Sequence, residues 1–364
     1  MRIRSLVPAL ACLAAAPFTY AADGDVKLNG FVDTRLSIAD TKQDGRGALT
    51  GFSYFAKLGL DYKVNSNISG TVDITNSSYT SNTLVVHQAY GAIKINEETS
   101  VKTGAFISSI GAVAHYQPDQ WRPTAGIVPV MYGVNTMVGA ELTRKINKDI
   151  TLNAAVSNGF FGEGQGQTQQ ATGQKDAALA YLVDVSVGLN DLGKMGFELV
   201  YDLDAASEAQ PDPSFAGAEY RGGNGTHLGF NAELNLAKDK SLQGLFEVIY
   251  QQVKTGKDIA GAGGANQKRI GLLAEVKYDV PNCPWHSNLV GSFQYVKHTA
   301  VGFIDGDDEK TTEVAVAMNT HPFAGSKSFG LNGEIAYQKT TGQGSITADT
   351  KTATFTLEAL YVFP

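Results

Sequence analysis

Residues 351–363 read Lys-Thr-Ala-Thr-Phe-Thr-Leu-Glu-Ala-Leu-Tyr-Val-Phe, and one residue, Pro364, follows. Ala353, Phe355, Leu357, Ala359, Tyr361 and Phe363 share one parity and are apolar or aromatic. Thr352, Thr354, Thr356 and Glu358 share the other. Successive side chains of a strand point to opposite faces, so this pattern predicts a strand with one greasy and one polar face. Phe355 and Phe363 lie on the greasy face. At about 3.3 Å per residue and about 40° tilt they stand roughly 20 Å apart, close to the height of a lipid-facing band. Aromatic residues at both ends of such a band are what two membrane interfaces select.

The same alternation runs back through the chain. In 26–39, Val26, Leu28, Val32, Leu36 and Ile38 oppose Lys27, Asn29, Asp33 and Arg35. In 50–64, Phe52, Tyr54, Leu58, Leu60 and Tyr62 oppose Lys57, Asp61 and Lys63. Further strands are predicted near 68–79, 83–95, 99–107, 137–146, 150–160, 177–189, 195–205, 225–237, 242–253, 267–280, 287–299, 311–320 and 327–339. The total is about sixteen. Short turns, such as Asn65-Ser66-Asn67, Asn96-Glu97-Glu98 and Asn147-Lys148-Asp149, alternate with mostly longer connections at 206–224, 255–266, 302–308 and 341–348. That alternation predicts an all-β fold: a transmembrane antiparallel β-barrel with short periplasmic turns and long extracellular loops. Lipid offers no partner to a bare sheet edge, so the first strand is expected to pair with the last. A closed barrel of this size is expected to enclose an aqueous lumen rather than a packed core.

The N-terminus fits export. Arg2 and Arg4 precede an apolar run at 6–16, and the small residues Ala21 and Ala22 precede Asp23. Residues 1–22 are therefore expected to be a cleaved signal peptide and 23–364 a single barrel domain. No later stretch approaches the ~18 consecutive apolar residues of a membrane helix. Mean hydropathy is −0.12, compatible with a barrel whose interior is polar. The mature chain keeps one cysteine, Cys283, and so no internal disulfide framework. The formal net charge of −7 argues against nucleic acid as a partner.

Phe363, Tyr361 and the alternating residues before them resemble the C-terminal strand of bacterial outer-membrane barrels, which the barrel-assembly machinery reads. The extra Pro364 is a departure from it. In strand count, C-terminal strand and one long connection, 108–136, between the fifth and sixth strands, the chain resembles the general porins. The runs Gln88-Ala89-Tyr90-Gly91 and Gly104-Ala105-Phe106-Ile107 also resemble the OmpL-like group of bacterial β-barrel porins. The porin resemblance implies a homotrimer among outer-membrane lipid and lipopolysaccharide, with no cofactor. It also implies that 108–136 folds into the lumen as a constriction loop. The porin loop is typically acidic, whereas this one offers His115, Asp119, Trp121 and Arg122 as candidate constriction residues.

No catalytic or metal-ligating spacing stands out. The histidines are scattered, without HExxH, and no GxSxG occurs. His227 with Ser69 or Ser328 is the nearest approach to a hydrolase pair. Candidate function therefore rests on the inward parity. It places a basic sector of Lys27, Arg35, Lys57, Lys63 and Lys102 opposite an acidic sector of Glu141, Asp184, Glu198, Asp202, Asp204, Glu233 and Glu247. Inward acids outnumber inward bases. The expectation is a passive diffusion channel for small hydrophilic solutes, not an enzyme, with weak cation preference carried mostly by Asp202, Asp204, Glu198 and Glu233. The readings it competes with are a substrate-selective porin, a barrel-embedded hydrolase and a structural or interaction barrel.

Overall fold

The computed structural model describes residues 25–42, 49–77, 83–113, 119–124, 126–129, 136–160, 179–203, 224–254, 266–283, 285–300, 308–322, 328–343 and 349–363. The predicted signal peptide and Pro364 lie outside them. Sixteen strands follow in order: β1 (Asp25–Lys42), β2 (Leu49–Lys63), β3 (Ile68–Ser77), β4 (Leu84–Lys94), β5 (Thr99–Ile107), β6 (Thr136–Lys145), β7 (Ile150–Ser157) and β8 (Ala180–Gly188), then β9 (Gly193–Asp202), β10 (Gly225–Asn235), β11 (Leu242–Val253), β12 (Gln267–Asp279), β13 (Asn288–Thr299), β14 (Asp308–Thr320), β15 (Phe329–Gln343) and β16 (Thr350–Phe363). Each strand pairs antiparallel with its sequence neighbours, and β1 pairs with β16, so the sheet closes. The chain is a sixteen-stranded antiparallel β-barrel.

Closure runs from Gly30 opposite Phe363 to Lys42 opposite Lys351. Gly30 is needed at the seam. A Cβ there would lie 2.4 Å from the Phe363 ring and 2.3 Å from the Lys57 carbonyl oxygen. Side-chain parity is kept across the seam. Leu36 faces Leu357 and Ile38 faces Phe355 on one surface, while Arg35 faces Glu358 on the other.

The faces are inverted relative to a water-soluble sandwich. In β16, Phe355, Leu357 and Tyr361 are exposed, while Thr356 and Glu358 are buried. In β14 and β15, Val314, Val316, Ile335 and Tyr337 are exposed, while Glu313 and Glu334 are buried. Such an apolar outer belt is stable only against lipid, at about 25 cal/mol per Å² removed from water.

Connections between β2 and β3, β4 and β5, and β6 and β7 close by a shared device. Asn65 Oδ1 accepts the amides of Asn67 and Ile68 at 2.8 and 2.9 Å. Asn147 does the same for Asp149 and Ile150 at 2.8 and 2.9 Å, and Asn96 Oδ1 takes the Glu98 amide at 3.0 Å. An asparagine that mimics a backbone turn in this way permits a four-residue reversal. Both ends of the described barrel, Asp25 and Phe363, lie at this short-turn mouth.

The expected purely aqueous lumen is corrected in one respect. An apolar cluster sits inside the barrel, formed by wall residues such as Phe106, Leu182, Val200 and Ile249 with the loop residues Ile110, Val128 and Phe160. Part of the inner wall is a packed core because the connections after β5 and β7 cover it.

The outer belt makes a specific demand. Val314 lies in the middle of β14 and is half exposed. Val314→Arg should destabilise the folded barrel by about 2–4 kcal/mol, the cost of a cation near the bilayer midplane. Denaturant unfolding in lipid vesicles would measure it; an unchanged midpoint would show that this face does not meet lipid.

Candidate functional site

The described parts of the β5–β6 connection lie against the inner wall, each held by a side chain on a different strand. Gly111 N–H donates to Glu198 Oε1 of β9 at 3.0 Å, and Ala112 N–H to Glu247 Oε1 of β11 at 2.9 Å. Further along, Asn319 Nδ2 of β14 donates to the Trp121 carbonyl at 2.6 Å. Thr124 gives both its amide and its hydroxyl to Glu334 of β15, at 3.2 and 2.5 Å. Val128 N–H donates to Gln294 Oε1 of β13 at 2.7 Å. The start of the β7–β8 connection is tied down similarly, with Phe160 N–H donating to Asp202 Oδ2 at 2.6 Å.

Arg122 is the centre of this arrangement and is 2% exposed. Its Nε lies 3.2 Å from Glu275 Oε1 and its Nη1 3.6 Å from Glu334 Oε1, and its Nη2 bonds Glu313. Burial by itself pushes the Arg122 guanidinium down, but the carboxylates of Glu334, Glu313 and Glu275 outweigh it, and the net shift is upward. Around it, hydrogen bonds from backbone amides to ionised carboxylates are about twice as strong as neutral ones. Acids on the wall thus act as acceptors for a loop that would otherwise bury bare amides.

Inward parity holds for the sector residues that the structure describes, but their exposure differs from the expectation. In the acidic sector, Glu141, Asp184, Glu198, Asp202 and Glu247 are all buried. Glu198 and Glu247 anchor the loop, Asp202 anchors Phe160, Asp184 takes a hydrogen bond from Asn153 at 2.8 Å, and Glu141 pairs with Lys102 at 2.8 Å. Glu233 stays accessible beside Lys194, at 3.0 Å. Asp204 lies outside the described residues. In the basic sector, Arg35 bridges Asp33 at 2.6 Å and Glu358 at 3.1 Å, and Lys57 pairs with Asp73 at 3.1 Å. Lys27 and Lys63 line a cavity at the short-turn mouth. Most of the inward acids on which the expected weak cation preference rests are covered and bonded.

Of the candidate constriction residues, Arg122 is the anchor and His115 lies outside the described residues. Asp119 is exposed. The Trp121 ring carries Lys277 Nζ 4.8 Å from its centroid. The hydrolase pair is not assembled. His227 stands near the long-loop end of β10, bonded to Glu198 at 3.4 Å and Gln251 at 3.2 Å. Ser69 and Ser328 lie at the short-turn mouth, at the opposite end. The sequence reading missed Gln294 and Asn319 as loop anchors. Their signal is an inward polar residue on a strand facing the long loop, which parity shows but loop contact does not.

No protein-family model and no curated protein matches this sequence. The OmpL-like grouping therefore rests on the residues quoted for it alone. Solved structures match over nearly the whole chain at low identity. The trimer form of OmpT, an outer membrane protein of Vibrio cholerae, is 12% identical with a TM-score of 0.63, covering 93% of this chain and 99% of its own. The outer membrane channel DcaP of Acinetobacter baumannii is 12% identical with a TM-score of 0.65, covering 93% and 97%. OprB of Pseudomonas putida is 11% identical with a TM-score of 0.62, covering 92% and 94%. At these identities the likeness is one of fold, that of the outer-membrane barrels.

Removing the central cation should release the loop. Arg122→Ala leaves three buried carboxylates without their counter-charge, a cost of about 3–5 kcal/mol. The expected outcome is an intact barrel whose loop becomes susceptible to protease, with partial protection regained in Arg122→Lys, which lacks the guanidinium fork. A loop equally resistant in Arg122→Ala would show that the apolar contacts alone hold it.

Proposed function

We propose that this barrel is an outer-membrane porin of a Gram-negative bacterium, a passive diffusion channel for small hydrophilic solutes and ions. The observation that carries the reading is the β5–β6 connection bonded across the lumen to β9, β11, β13, β14 and β15 while the sheet stays closed. In this reading a connection placed there narrows the passage, and the partly exposed Arg35, Lys57 and Lys102 on the β1–β6 side line the stream. The matching folds of DcaP and OprB support the same reading. Neither cofactor nor energy coupling enters it, since solutes move down their own gradient through a polar-lined space.

The trimer form of the matching OmpT structure supports a homotrimer for this chain as well. The outward faces of β3–β7 fit that assembly. They carry Ala89, Gly91, Thr103, Ala105 and Ala140 and, among the described residues, no aromatic side chain, whereas Phe197, Tyr201, Phe230, Phe246 and Phe293 face outward on β9–β13. The aromatic side belongs to lipid and lipopolysaccharide. Phe363 and Tyr361 at the end of β16 supply the features by which the assembly machinery would recognise the chain.

Purified protein reconstituted in planar bilayers should insert in steps of uniform conductance. Folded barrels that never conduct would overturn the porin reading. Extraction in mild detergent should give a band of trimer mass that collapses to monomer on boiling, and monomer alone in several detergents would refute the assembly.

A further inference from the structure

The ion pairs of the uncovered wall share an asymmetry. Arg35 is 17% exposed while its partners Asp33 and Glu358 are 1% and 0% exposed. Lys57 is 13% exposed against 0% for Asp73, and Lys102 is 25% against 3% for Glu141. Lys57–Asp73 and Lys102–Glu141 are each neutral in sum and Arg35 serves two acids, yet each site turns its cation to the lumen and keeps its carboxylates behind. A solute close to the wall meets the nearer charge first, because the field of the farther one is spread and screened over a Debye length of about 8 Å.

The short-turn mouth of the same arc adds four more cations. A cavity of about 750 Å³ there is lined by Lys27, Lys63, Lys94 and Lys145. None of these four forms an ion pair among the described residues, unlike Lys57 and Lys102. Asp25, Asp61, Glu97 and Glu98 also line the cavity. Asp61 is occupied by donors, with Asn29 Nδ2 and Thr71 Oγ1 each at 2.7 Å. Glu97 and Glu98 sit on the turn, and Asp25 is the first residue of β1, at the rim. The arc β1–β6 thus presents a series of bases from Arg35, Lys57 and Lys102 down to the mouth, while on the opposite arc the loop covers Glu198, Glu247, Glu313 and Glu334 and leaves Glu233 accessible beside Lys194.

We propose that the conduction path follows the β1–β6 wall and favours small oxyanions, carboxylates and phosphate esters alike, over cations. This rests on the porin reading above and reverses the sign that the inward charge count implies. Clustered ammonium groups with hydroxyl donors such as Ser100 and Thr143 beside them suit the charge and acceptor atoms of an oxyanion.

The test is a reversal potential in a KCl gradient, for the full chain and for a Lys27→Gln, Lys63→Gln, Lys94→Gln, Lys145→Gln variant. These lysines leave no buried acid orphaned, and heat-modifiable migration would confirm that the variant folds. The expected wild-type chloride-to-potassium permeability ratio is above one, about threefold at low salt, falling towards one near 1 M, where the Debye length is about 3 Å. The variant should lose at least half of that preference, and inorganic phosphate added at the short-turn side should reduce the wild-type chloride current more than the variant's. Folded barrel without current would remove the porin reading and this inference with it. Current that reverses on the cation side overturns this inference alone. Anion preference unchanged in the variant, with no phosphate effect, overturns the lysine track as its cause.

Discussion

A peptide group in hydrocarbon has no water to bond, so every amide and carbonyl of a spanning sheet needs a partner within the protein. The pairing of β1 with β16 meets that demand for two strands that would otherwise be bare edges. The alternation of faces, the inverted burial and the side-chain parity across the seam all depend on it. Gly30 shows how little room the seam leaves, since its neighbours in space are the Phe363 ring and the backbone of β2.

Closure then creates a second demand. A loop entering the lumen leaves solvent and brings its own backbone amides with it. On the wall of β9–β15 those amides meet carboxylates and amides of side chains rather than other backbone. Buried acids without partners would be destabilising, and so would buried amides; together they stabilise one position of the loop. The apolar cluster beneath, from Phe106 to Ile249, adds burial to this polar scaffold. Arg122 matters most because one guanidinium serves carboxylates from three strands, β12, β14 and β15.

The electrostatic consequence is a separation of total charge from presented charge. The inward face carries more acids than bases, yet the acids under the loop and those behind Arg35, Lys57 and Lys102 are shielded by position. In the proposed channel, what a solute meets is the accessible subset. The charge such a wall presents belongs to exposure and distance, which an inventory of side chains does not contain.

How much was legible in the chain follows from which interactions are local. The alternation in 351–363, the asparagine turns at Asn65, Asn96 and Asn147, and the segregation of short and long connections depend on residues close in sequence. From them the sixteen strands, their inward faces and the closed barrel could be read, with strand ends displaced by a few residues where turns begin. What covers the inward face could not. Gly111 meets Glu198 across 87 residues and Thr124 meets Glu334 across 210. Period 2 assigns a side chain to a face because the pleat alone sets that direction. Whether water, a cation or a loop stands over it is set by the path of a segment that has no periodicity of its own, and only the tertiary structure decides that.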